Sequence, residues 1–140
     1  MAVVVLSPEY MTAKWPMMEL NAFYMAQSST RPELILFPVF YKLEPGDLND
    51  RSKLEAWEEE WKKHQEEDTS GRIDIESWRK AVRQLRGING LRFSDFGGSE
   101  VTYRAGLVEE VYGKLKPCLG YDLSGIQGCN RLCEVCNAWT

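Results

Sequence analysis

Two groups of residues in this chain have the types and spacing to do chemistry. The first centres on one carboxylate, Glu19, in the opening turns of an apolar helical pattern, with Trp15 four residues before it on the same helical face. Ahead of them a β-branched run, Val3-Val4-Val5-Leu6, ends in Ser7-Pro8, and a polar loop carrying Tyr10 leads into Lys14-Trp15-Pro16. In open α/β sheets, ligand sites gather where a strand's carboxyl end passes into a helix. Chemistry is therefore expected within Ala2–Phe23. The bland readings stand beside this one. A helix dipole favours an acidic residue in the first turns whatever the function, Trp15 could be a packed aromatic, and Ser7 and Tyr10 could be loop-stabilising hydroxyls.

The second group is Cys129-x-x-x-Cys133-x-x-Cys136, with Cys118 upstream. That spacing is the one radical S-adenosylmethionine enzymes use, and three thiolates so placed can hold three irons of a four-iron cluster. A zinc site of four thiolates is also conceivable, although the first spacing is not that of a paired zinc knuckle. No long barrel follows Cys136, and short motifs recur freely, so the spacing is read as chance and no metal is assigned. His64 is the only histidine. It sits in a charged helix with no nucleophile constellation around it, and it is read as solvent-exposed. The glycines at 87, 90, 97 and 98 form no phosphate-binding fingerprint.

Composition narrows the classes. With 44% hydrophobic and 27% charged residues, 140 residues are ordinary globular material, enough for one domain. A net charge of −4 speaks against a nucleic-acid partner, which would select a basic face. No apolar run reaches transmembrane length, and the start lacks the basic and long apolar regions of a signal peptide. No membrane partner is expected, and the setting inferred is cytoplasmic and reducing. All four cysteines lie at or after position 118, whereas a disulfide framework would spread them over the domain.

The elements that must position Glu19 follow from periodicity. Ala2–Leu6 reads as a strand, and Met17 through Ala26 as a helix apolar over most of its surface, expected to be largely buried. Leu34–Tyr41 is the strongest strand pattern, but Pro38 withholds an N–H and points to an edge or a bulge. Ser52-Lys53-Leu54-Glu55 fits a capping box opening a helix with Leu54, Trp57 and Trp61 on one face. Ile75, Trp78, Val82 and Leu85 mark another helix, stopped by Gly87. A short strand at Leu91–Phe93 and a last helix, N-capped by Ser99 and closed by Pro117, complete the series. The alternation predicts an α/β fold, a parallel sheet with covering helices, over residues 1–117. Residues 118–140 read as an irregular cysteine-containing tail.

Three blocks in order carry a family resemblance. Val4-Val5-Leu6-Ser7-Pro8-Glu9-Tyr10 with Lys14-Trp15 and Glu19-Leu20 is one; Pro38-Val39-Phe40-Tyr41 followed by Glu44-Pro45-Gly46-Asp47 is the second. Trp78-Arg79-Lys80-Ala81-Val82 with Gly87, then Glu100–Leu115, is the third. Together they resemble the plant Toll/interleukin-1 receptor (TIR) domain. The resemblance implies a flavodoxin-like TIR fold that starts mid-domain, with the family's first two strands and helices missing. In the family's sheet order, 2-1-3-4-5, Ala2–Leu6 is then strand three and has lost its inner neighbour. An apolar strand with an open edge is an aggregation and strand-addition hazard. A truncated product, inactive alone, is expected in preference to a sheet completed by another chain.

The resemblance also implies function. Members hydrolyse NAD+ at the bond between nicotinamide and ribose, or assemble in immune signalling. Glu19 takes the family's catalytic carboxylate position, Trp15 would border the ribose pocket, and Ser7 and Tyr10 would contact substrate. Bond cleavage builds positive charge on the ribose, which one carboxylate stabilises. NAD+ is then the substrate, with no cofactor and no metal, because nicotinamide leaves from a ring already cationic. The implied partners are other TIR domains, met through Trp57 and Trp61 and through the Val101–Leu115 helix. The alternative is a self-associating adaptor without turnover.

Overall fold

A computed structural model describes residues 1–119 of the chain, with side chains through residue 115. The elements run β1 (Ala2–Leu6), α1 (Pro8–Thr12), α2 (Lys14–Ser29), β2 (Leu36–Phe40), a 3-10 turn (Pro45–Asn49) and α3 (Arg51–Glu67). Then follow α4 (Ile75–Leu85), β3 (Leu91–Arg92), a second 3-10 turn (Phe93–Phe96) and α5 (Glu100–Leu119). The cysteine readings at Cys118, Cys129, Cys133 and Cys136 lie outside the described side chains. Met1–Leu107 forms one compact unit, and a second begins at Val108. Of that second unit the described part is the rest of α5.

The sheet is parallel throughout, in the order β1-β2-β3. This agrees with a run of strands three, four and five in the family order. β2 is central, and all five of its residues are buried. The Pro38 reading is thereby corrected: the proline lies in the middle strand, opposite Val4. Its nitrogen shows why this is tolerated. Tyr41 N–H donates to Leu6 O at 2.9 Å, and backbone groups alternate sides along a strand, so the Pro38 nitrogen faces β3. Pairing with β3 involves only Val39 and Phe40, beginning just past the proline, and no ladder bond is lost. Gly90 occupies the gap. A Cβ there would stand 2.2 Å from Pro38 O and 2.9 Å from Phe40 Cε2.

One face of the sheet carries the main core. Val4, Leu6, Leu36 and Phe40 meet Met11, Met17, Leu20, Trp57, Trp61, Trp78, Val82 and Leu85 from the helices. Trp61 and Trp78 pack edge to face, with centroids 5.8 Å apart, the arrangement favoured by ring quadrupoles. On α5, Tyr103 is buried among Phe93 and Phe96, and its hydroxyl donates to Phe40 O at 3.3 Å. Ser99 Oγ accepts from Thr102 N–H at 3.4 Å, as an N-cap should.

Two further expectations change. α3 starts before Ser52, because Asp50 is the N-cap and accepts from the Ser52 and Lys53 amides at 2.9 and 3.2 Å. Glu55 is instead engaged with Arg51, at 2.8 Å. α2 is less buried than its composition suggested. Met17 and Leu20 are enclosed, but Trp15 is 70% and Met25 50% exposed. Apolar residues wrap all round this helix, and the described sheet face covers only one stripe of it.

Candidate functional site

The candidate site is built from the chain between β1 and α2. Ser7 leaves the strand in an extended conformation and its hydroxyl accepts from Tyr10 N–H at 3.1 Å, capping α1. Pro8 occupies the first helical position, where a missing N–H costs nothing. α1 is a single turn. Ala13 closes it and at the same time opens α2, which has no side-chain N-cap. Lys14 and Trp15 form the first turn of α2, and Glu19 follows one turn on, on the same face and exposed like Trp15.

Tyr10 lies close to this face. Its hydroxyl is buried without a hydrogen-bond partner. Burial pushes the phenol above its ordinary range, and the charge of Glu19 adds in the same direction. The second effect places the Glu19 carboxylate within electrostatic reach of the Tyr10 ring. Trp15 and Glu19 thus share one exposed face of α2, and Tyr10 stands in α1 just ahead of it. Ser7 is not in that group, since its hydroxyl is engaged as a cap.

Several positioning residues were invisible from sequence. Trp61 Nε1 donates to Met11 O at 2.6 Å, and His64 Nε2 lies 2.8 Å from Thr12 O. Lys14 Nζ pairs with Asp68 at 3.3 Å and stands 5.7 Å from the Trp15 ring centroid. His64 is therefore not a free surface residue, as expected from its charged helix, but half-buried against the end of α1. Its three-residue spacing from Trp61, on the apolar stripe of α3, was the signal available. α2 is tied to α4 as well: Ser77 Oγ donates to Asn21 Oδ1 at 2.6 Å, and Gln84 Nε2 to Gln27 Oε1 at 2.7 Å. Among the described residues, no cluster of three His, Cys, Asp or Glu could hold a metal ion.

The TIR domain family model matches residues 1–119. The chain belongs to the TIR domain family. No curated protein sequence matches it. Among solved structures, it is similar to the TIR domains in the activated Roq1 resistosome directly recognising the pathogen effector XopQ. The TM-score is 0.62 at 22% identity, over 79% of this chain. The match covers 64% of that chain, so this TIR chain spans somewhat under two thirds of the solved domain. The TIR match confirms the parallel sheet with covering helices. No helix among the described residues is long and apolar enough to cross a membrane.

One implication of the resemblance is corrected by burial. Trp57 and Trp61 cannot form an assembly face, because both are core residues, 6% and 0% exposed. Two indoles on the only apolar stripe of a charged helix are what that helix has to bury. The surface α3 presents is instead charged, with pairs such as Lys62–Glu59 and Lys63–Glu60.

Proposed function

We propose that this TIR chain carries the catalytic half of an NAD+ nucleosidase site serving immune signalling, with Glu19 as the catalytic carboxylate. The supporting observation is the exposure of Glu19 and Trp15 together on one helical face, one turn apart, with the buried, unpartnered phenol of Tyr10 in the short helix just before them. Hydrolysis breaks the ribose–nicotinamide bond, with the electron pair leaving on nicotinamide nitrogen. Glu19 stabilises the positive charge left on the ribose. Water then bonds to the ribose carbon and releases a proton. The open face of Trp15 suits stacking on the cationic nicotinamide ring, and Tyr10 contacts substrate from the turn that leads into α2. Ser7 acts through the loop rather than on substrate. The substrate is NAD+, no cofactor is required, and the setting is cytoplasmic.

Among the described residues the sheet ends on β1, which pairs with β2 alone, and on this reading the rest of the pocket lies beyond that edge. The monomeric chain is accordingly expected to be inactive, with turnover appearing as TIR domains associate. The test is nicotinamide release from NAD+ by the purified chain across a concentration series that spans self-association. Turnover in the associated form should fall about a hundredfold or more in Glu19→Ala, the usual loss when a charge-stabilising group is removed. Equal turnover in both proteins would refute the role of Glu19. No turnover from associated protein would favour the second reading, a non-enzymatic adaptor. That reading draws on the exposed apolar side chains Val3, Val5, Met25 and Val101 and on the likeness to a resistosome's TIR domains.

A further inference from the structure

The end of α1 is held by residues that no reading of the catalytic motif includes. α1 spans five residues, too few to persist by its own hydrogen bonds. The carbonyls in the last turn of a helix have no partner within it. Here two of them, Met11 O and Thr12 O, meet ring nitrogens of Trp61 and His64, 50 and 52 residues away in sequence. One turn beyond His64, Asp68 pairs with Lys14. Trp61, His64 and Asp68 thus lie along one side of α3 and its exit. Their contacts fall on Met11, Thr12 and Lys14, the residues around Ala13, where α1 becomes α2. Since α2 has no side-chain N-cap of its own, this junction depends on α3 for its position, and Trp15 and Glu19 begin directly after it.

We infer that the C-terminal half of α3 is a positioning clamp for the Trp15–Glu19 segment, with His64 as its separable member. Trp61 is also a core residue, so its loss would report on packing. His64 is half-buried, and its ring joins Thr12 O with no charge needed. The clamp rests on the proposed role of Glu19 for its effect on turnover, but not for its effect on the junction.

The experiment compares His64→Leu, which removes the donor, with His64→Gln, whose side-chain amide N–H restores one. In the His64→Leu chain, amide hydrogen exchange at Ala13 and Met17 should quicken about tenfold or more, a local opening. The Trp78 amide in α4 should keep its protection, and His64→Gln should restore the junction. Unchanged exchange at Ala13 and Met17 would overturn the clamp whatever the chemistry of Glu19. In the form that turns over NAD+, kcat should fall about tenfold in His64→Leu with KM nearly unchanged, as small misplacements of a catalytic group do, and recover in His64→Gln. A loosened junction with unchanged kcat, in a chain that Glu19→Ala inactivates, would also overturn it. A loosened junction in a chain indifferent to Glu19→Ala supports the clamp and rejects only the catalytic reading.

Discussion

α2 and α4 lie side by side under the same sheet, yet they use their apolar residues differently. In α4, Trp78, Ala81, Val82 and Leu85 recur at three- and four-residue steps and all are buried. Ile75 extends the same stripe and packs against the core, and polar and charged residues take the remaining positions. In α2, apolar residues occupy nearly every face, but only Met17 and Leu20 are fully buried, with Met18, Phe23 and Tyr24 partly so. The most exposed of its large side chains, Trp15, sits beside Glu19 rather than over the core. α4 is a structural helix whose sequence matches what it buries. α2 carries more apolar surface than its described packing uses, and the excess is next to the proposed site. An aromatic kept open beside a carboxylate is more informative about function than one enclosed in the core.

The largest test of this contrast is a pair of truncations. Trp78→Ala removes a fully buried indole that packs against Trp61, and it should cost about 3–5 kcal/mol in denaturant unfolding. Trp15→Ala should cost no more than about 0.5 kcal/mol, as surface substitutions do, while reducing NAD+ turnover. A comparable stability loss at Trp15 would make α2 a packing helix like α4 and remove the reason for placing the site there.

The same asymmetry appears across the sheet. On the β1 side, Val3 and Val5 are 41% and 49% exposed. On the β3 side, Gly90 is jammed against Pro38 and Phe40. Gly90→Ala should destabilise by about 1–3 kcal/mol, because the obstructing atom is a backbone carbonyl that cannot rotate away. A neutral result would mean that β3 stands farther from β2 than its pairing indicates.

Much of the fold could be read from local pattern because its signals are local. The β-branched run of β1, the three-four repeat of α4 and the Ser99 cap each specify an element without reference to the rest of the chain. Pro38 was misjudged because its tolerance depends on where a partner strand, distant in sequence, begins to pair. The start of α3 differs because Asp50 and Ser52 are both N-cap residue types, and Asp50 reaches two amides at once. At the site, Glu19 and Trp15 were legible from motif spacing, whereas His64 was not. Its role depends on one orphan carbonyl, Thr12 O, of a helix 52 residues away, and its spacing from Trp61 marks the buried side of α3 without announcing that partner.

The fastenings of the two helices differ too, and acid should separate them. α4 is tied to α3 by a bidentate pair, Arg79 to Glu58 at 2.6 and 2.8 Å, and the Arg79 hydrogen bonds hold the Glu58 carboxyl below its ordinary range. α2 is tied through Lys14 to Asp68, held down to about 2 first by the Ser70 hydroxyl, then by the Arg72 amide, with Lys14 following. Both carboxylates are lower in the folded state than in the unfolded one. The stability each contributes is therefore present at neutral pH and is lost as pH falls through the folded value. For Asp68 that window runs from about 3.9, its unfolded value, down to about 2. Carboxyl-carbon NMR titration reads each group directly. Arg79→Met should return Glu58 toward about 4.3, because its partner is what lowers it. Lys14→Met should move Asp68 only slightly, and Ser70→Ala should move it more. If Lys14→Met instead carried Asp68 most of the way to about 3.9, α2 would be fastened as α4 is, by an ion pair, and the loop bonds to Asp68 would be secondary.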